Sequence, residues 1–350
     1  MRDNTGAGTR PARDKDSTRN LPEEPEMPDG RRALVALVAA SILAIAGPAG
    51  AQDYPTRPIT LVVPYAAGGG NDVMARIVAE KMSKTLGQNI VVENRAGAGG
   101  SVATRAVAKA APDGYTLVLG GTGSLAVNPT LYNNVGYDPR KDFAPIGLIG
   151  TGQLIVVVNP NVAARTIAEL IALAKKDPGK LSYASAGVGN GIHLGAVLFE
   201  LMADIKLTHV PYRGTAPALT DLIGGHVQIY FSSIPSAIGI AKEGKVRPLA
   251  VTGPKRSPVF PDLPTVAETL PGFEAVLHYG IVAPAGTPKP IVDKLNAALR
   301  EAVAAPDTKE RMAADGTEPL ASTPEEYAAD IDKEETKWSA IVRKSGSKAE

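Results

Sequence analysis

Cysteine is absent from all 350 residues. That excludes disulfide frameworks, thiolate nucleophiles and cysteine-ligated metal sites together, and it leaves the compartment to be read from elsewhere. Histidine is nearly as scarce: His193, His209, His226 and His278 match no zinc-ligand spacing, so no metal is expected. A dominant charge is missing too. The 37 basic and 36 acidic side chains almost cancel, so no long-range field draws in nucleic acid or holds the chain on an anionic membrane. A small-molecule partner is the expectation.

Familiar catalytic motifs are also missing. There is no phosphate-binding G-x-x-x-x-G-K-[ST] loop, no H-E-x-x-H and no G-x-S-x-G nucleophile elbow. The segment 121–126, Gly-Thr-Gly-Ser-Leu-Ala, fits a dinucleotide fingerprint. However, Asn128-Pro129 interrupts the helix that would carry the pyrophosphate, and no strand ending in an acidic residue follows at the required ~20-residue distance. No cofactor is expected. Asp72, Asp221 and His193 are the candidates for acid–base work, yet each aspartate stands where an aspartate commonly stabilises the first turn of a helix.

What the chain does contain begins near its start. Arg31-Arg32, the apolar run 33–46 and the small residues 47–51 follow one another in the order of a secretory signal peptide cleaved after about Ala51. The apolar run is shorter than the ~20 residues of a membrane span, although an uncleaved anchor is the alternative reading. Residues 1–30 are polar and without apolar periodicity, and Met27 would give a signal peptide of ordinary length. The paired arginines raise a twin-arginine route that the flanking residues do not otherwise support. Removing residues 1–51 takes away equal numbers of acidic and basic groups, so the mature chain stays near neutral.

From residue 52 onward the grammar is α/β. The β-branched run 59–64 enters Gly68-Gly69-Gly70, and Val73, Met74, Ile77, Val78, Met82 and Leu86 then recur at helical spacing before Gly87. A second strand over 90–92 completes a βαβ unit, which requires a parallel pair. The alternation continues with a helix at 102–110, a strand at 116–119 and apolar stretches at 145–149 and 154–158. Thr166 to Glu169 has the capping-box arrangement. Strands at 208–210, 227–231, 246–252 and 275–283 and helices at 217–223, 234–242 and 288–303 follow, and Thr323 opens a last helix. A chain of this length is expected to form two lobes.

Four glycine loops follow strands: 64–72 (PYAAGGGND), 94–101 (NRAGAGGS), 120–124 (GGTGS) and 185–193 (SAGVGNGIH). In open α/β sheets ligands sit beyond the carboxyl ends of the strands, and helix starts there offer free N–H donors to an anion. Any one loop reads as ordinary turn geometry; four together point to a ligand cleft. The segment 210–217 (VPYRGTAP) adds another strand exit, with Arg213 either pairing with an anion or solvated. Ser232-Ser233 adds hydroxyls to the same edge.

Taken in order, Tyr54-Pro55-Thr56-Arg57-Pro58-Ile59, PYAAGGGND, Glu93-Asn94-Arg95-Ala96-Gly97-Ala98-Gly99-Gly100, Pro112-Asp113-Gly114-Tyr115 and the segment VPYRGTAPALTDLIGGHV resemble the Bug family, the periplasmic receptors of tripartite tricarboxylate transporters. The resemblance runs from about Tyr54 to the C-terminus. It implies a two-lobed periplasmic-binding-protein clamshell, each lobe a mostly parallel sheet flanked by helices, closing on a carboxylate that is passed to membrane permease subunits. The chain is expected to act as a monomer and not as an enzyme. The expected lobes are residues 52–151 with 279–350, and 152–278, with hinges near 150–153 and 277–280.

Carried over by position, Tyr65, Ala67, Gly68, Asn71 and Asp72, with Thr122, would line one wall. Ser185, Ala186, Gly187, His193, Gly214, Thr215 and Ala216 would line the other. The family's backbone-and-water grip on one carboxylate fits the glycine content. Ser232 stands where many members carry an aspartate, which disfavours ligands bearing an ammonium. Two further readings remain open: a sensor that binds the same solute and docks on a signalling receptor, and a periplasmic hydrolase or isomerase using Asp72, Asp221 or His193.

Overall fold

The computed structural model describes residues 54–349; the expected leader segment and its cleavage site, residues 1–51, lie outside the described residues. Strand β1 (Ile59–Val63) runs parallel to both β2 (Ile90–Asn94) and β3 (Thr116–Gly121). Helix α1 (Gly70–Leu86) connects the first two and α2 (Ser101–Ala108) the second pair, the right-handed crossover logic that parallel strands impose. Both faces of this sheet are covered. Leu61, Val63, Leu117 and Leu119 enter the larger core, whereas Val62 and Val118 enter a second cluster with Leu125, Phe143 and Tyr327. Two-sided burial explains why β1 is β-branched and aliphatic throughout instead of alternating.

The buried stripe of α1 is the one its periodicity predicts: Met74, Ile77, Val78, Met82 and Leu86 are buried, and Gly87 closes the helix in the left-handed conformation. After β3 the chain makes a π-helical turn, Thr122–Val127, then a short helix, Asn128–Leu131 (α3).

Strand β4 (Phe143–Val158) organises the rest. Its two apolar stretches are one continuous strand, not two. Gly147, Gly150 and Gly152 let it run through irregular register without side-chain conflict, so the glycines that suggest a break in the sequence mark a bent strand instead. From Phe143 to Gln153 it pairs antiparallel with β9 (Val276–Pro284), and from Leu154 to Val158 with β7 (Ile229–Ser233). The change of partner falls between Gln153 and Leu154.

Beyond that point β5 (Ser182–Ser185) runs parallel to β6 (Thr208–Pro211) and β7, and β8 (Arg247–Val251) pairs with the far half of β4. Helices α4 (Ile167–Lys176), α5 (Gly191–Ala203), α6 (Thr215–Gly224) and α7 (Ile234–Lys242) complete this half. In each half most strands point one way: β1 to β4 oppose β9 and the short β10 (Thr317–Pro319), and β5 to β8 oppose β4. The molecule is therefore a two-lobed α/β fold, each lobe a mostly parallel sheet flanked by helices.

After β9, α8 (Lys289–Ala304) packs on β4 and α1. Helix α9 (Pro306–Ala314) has no expectation behind it, because its polar sequence shows no stripe. The last helix, α10 (Pro324–Ser345), starts at a complete capping box between Thr323 and Glu326 and buries Tyr327, Ile331, Trp338 and Val342. It lies against the Thr122–Val127 turn and β4, and also touches α5 of the other half.

Candidate functional site

The strands of both halves end at a shared cleft, and the loops after β1, β3, β5 and β6 meet there. These loops form a narrow cavity of about 30 Å³, which is lined by Tyr65, Gly70, Asn71 and Thr122 on one side and Ala186, Asn190, Gly214 and Thr215 on the other. Ser233, Leu277 and His278 close its floor.

Three helices begin on this cavity: α1 at Gly70, α5 at Gly191 and α6 at Thr215. The starts of α1 and α6 carry no side-chain cap, whereas Asn190 Oδ1 accepts from His193 N at 2.9 Å. Free N–H groups at a helix start, together with the helix dipole, favour negative charge. No Asp, Glu, Lys or Arg lines the cavity. Its polar side chains are Tyr65, Asn71, Thr122, Asn190, Thr215, Ser233 and His278, with Thr122 Oγ1 accepting from His278 N at 3.0 Å. Burial pushes the Tyr65 hydroxyl well above its ordinary range, so it remains a neutral donor.

Of the residues expected from the sequence, Tyr65, Asn71, Thr122, Ala186, Gly214 and Thr215 come together here. Gly187 lines an adjoining compartment of about 330 Å³, which shares Tyr65, Ala66, Ala186 and Gly214 with the first. The others do not line the cavity. Ala67, Gly68 and Ala216 are exposed beside it.

Asp72 is buried and serves the loop instead. Arg76 Nε donates to both of its carboxylate oxygens at 3.1 Å, and Gly68 N donates to Oδ2 at 3.0 Å. Arg76 continues to Asn94 Oδ1, and Asn94 Nδ2 donates to the Tyr65 carbonyl at 3.1 Å. Burial raises the Asp72 pKa, but the Arg76 and Gly68 hydrogen bonds outweigh it and hold the carboxyl below the usual 3.8. This network fixes Tyr65 and the three glycines.

Ser232 is buried with its Oγ on the Ser233 carbonyl, because neighbouring residues of a strand face opposite ways; Ser233 is the one facing the cavity. Ser185 Oγ lies 2.7 Å from His209 Nε2 and accepts from Gly187 N at 3.2 Å. The residue is wholly buried, so the hydroxyl braces the loop. His193 turns away from the cleft. Its ring stacks on His209 with centroids 4.3 Å apart and lines a separate cavity of about 490 Å³ with Tyr183 and Glu200. Burial pushes His193 down to about 3 and His209 to about 4, so both are neutral at pH 7.

Lining residues not named individually from the sequence are Ala66, Gly69, Gly70, Gly121, Gly123, Asn190, Gly191, Ile192, Leu277 and His278, whereas Ser233 was expected only as a hydroxyl on that edge. Asn190 carried a signal, as an N-cap residue inside the fourth glycine loop. Leu277 and His278 were expected only as part of a hinge, and they reach the cavity through the pairing of β9 with β3 and β4.

Residues 74–347 match the model of the tripartite tricarboxylate transporter family receptor. The chain belongs to that family. Among curated relatives, a protein from the tcbD-tcbE intergenic region of Pseudomonas sp. strain P51 is 41% identical over 317 residues, covering 89% of this chain and 94% of the relative. The structure of the periplasmic binding protein BugD is 40% identical, with a TM-score of 0.81 over 85% of this chain and all of BugD. Rpa4515 of R. palustris, solved with adipate, is 35% identical, with a TM-score of 0.81 over 84% of this chain and 98% of that one. Members of this receptor family are periplasmic solute-binding proteins.

Proposed function

We propose that this receptor captures a small carboxylate in the cavity between its lobes and delivers it, outside the cytoplasm, to the integral membrane permease subunits of a tripartite transporter. The observation that carries the reading is the convergence of the helix starts at Gly70, Gly191 and Thr215 on a cavity that has no fixed charge of its own. A carboxylate there meets amide donors and the positive ends of helix dipoles, each worth about 0.3–1 kcal/mol when exposed and up to ~2 kcal/mol when partly buried. The adipate bound by a relative of the same fold supports the class of ligand.

The lobes are residues 52–151 with 279–350, and 152–278. They close about β4 near the partner change at Gln153 and Leu154, and about β9 near Leu277 and His278. The protein acts as a monomer and does not turn its ligand over. In support, Asp72 is engaged by Arg76 and Gly68, Asp221 accepts from the Tyr212 hydroxyl at 2.6 Å, and His193 faces another cavity.

Native mass spectrometry of the undenatured protein and thermal shifts against a broad carboxylate panel test this reading. A true ligand at a hundred times its Kd adds about 2.7 kcal/mol to the folded state and raises Tm by several degrees. No shift with any acid and nothing co-purified would overturn it.

A further inference from the structure

We propose that Arg213 recognises the distal anionic group of an extended dicarboxylate whose near carboxylate occupies the inner cavity. The inference rests on the carboxylate reading above and names the part of the site that selects among carboxylates.

The two compartments of the cleft differ in chemistry. The inner one offers neutral donors and no charge. The outer one, of about 330 Å³, is walled by small residues of 96–100 and by Gly187 and Tyr212, and Arg213 is the sole charged side chain lining it. Arg213 is exposed, and no carboxylate among the described residues pairs with it. Arg76 and Arg95, on neighbouring segments, line neither compartment and are engaged, Arg76 with Asp72 and Arg95 with Glu93.

Between the compartments lies an apolar neck formed by Tyr65, Ala66, Ala186 and Gly214. A Cβ added at Gly214 would stand 2.7 Å from Ala66 Cβ, so the two walls are in contact there, and a spacer joining the compartments must run past that contact, which favours a slender chain. Along the cleft the order is therefore anion site, apolar neck, cation. An α,ω-dicarboxylate with an aliphatic spacer has the same order, and a guanidinium fork gives its far carboxylate two parallel hydrogen bonds.

Isothermal titration of the wild type, Arg213→Gln and Arg213→Lys with the dicarboxylates from succinate to suberate, each beside its monomethyl ester, tests the assignment. For the best diacid, the wild type is expected to prefer the diacid over the ester by about tenfold, the size of one charge-assisted contact at a partly exposed site. Arg213→Gln should reduce that preference to within about twofold, lowering diacid affinity more than ester affinity, and Arg213→Lys, which keeps the charge but not the fork, should keep only part of it. A wild type that binds diacid and ester alike, or an Arg213→Gln variant that keeps the full preference, overturns the role of Arg213 and leaves the carboxylate reading intact. Failure of every diacid and ester to bind the wild type overturns both.

Discussion

Gly99 and Val188 meet across the cleft so closely that a Cβ on residue 99 would overlap the Val188 carbonyl oxygen. Gly99 also holds a left-handed backbone with φ 59°, and its carbonyl accepts from Asn128 Nδ2 at 2.9 Å. The contact exists only when the two loops are together, so Gly99→Ala should act on closure. The strain itself costs about 1 kcal/mol. Ligand affinity is expected to fall at least tenfold, and small-angle scattering should show no contraction on adding ligand. Unchanged affinity would show that the seam does not govern binding.

Asp72 gives an acid signature. Its folded pKa lies below the ordinary 3.8, so its contribution is present above about pH 4 and is lost as pH falls through the folded value. Asp72→Asn should cost about 1–3 kcal/mol at pH 7, since Gly68 N and Arg76 lose a charged acceptor, and should flatten the acid limb of the wild-type stability curve. Urea midpoints from pH 7 to 3 test this. A limb of unchanged steepness would assign it to other groups.

The stacked pair His193 and His209 acts at milder acidity. Both folded pKa values, about 3 and about 4, lie below the ordinary 6.5, so the unfolded chain takes up protons first and stability falls as pH drops below about 6.5. Each fully mismatched histidine costs up to about 1.4 kcal/mol per pH unit. Replacing both by Gln should remove most of the loss between pH 6.5 and 4.5. Because neither ring lines the cavity at the helix starts, ligand Kd at pH 7 should change by less than about threefold.

Strand register separates two adjacent serines. Ser233 faces the inner cavity, whereas Ser232 bonds the Ser233 carbonyl on the opposite face. Ser233→Ala should weaken carboxylate binding by about three- to tenfold, the value of one hydrogen bond, and Ser232→Ala by less than twofold. Equal effects would contradict the register.

The elements were legible where local physics decides them. The stripe of α1, the Gly87 stop and the Thr323 capping box need only near neighbours, and the structure has all three. The single strand β4 was not legible, because a glycine run gives the same local signal whether it ends a strand or bends one. In the site, glycine loops located the backbone donors but not which way side chains turn. Asp72, Ser185 and His193 all sit in those loops, yet each side chain is claimed by a partner: Asp72 by its near neighbours Gly68 and Arg76, Ser185 by His209, and His193 by the His209 ring, the last two pairings supplied by topology alone. Leu277 and His278 enter through a strand more than 80 residues downstream of Ala186 and Asn190, a proximity no motif records.

Whether a carboxylate is held at the converging helix starts is tested most directly by a crystal structure of the protein with the acid that co-purifies or binds most tightly. The expected result is a carboxylate in the inner cavity, its oxygens about 3 Å from first-turn amides of α1 and α6, with no basic side chain on that group. An acid bound instead beside His193 in the 490 Å³ cavity, or held at its near end by a guanidinium, would contradict it.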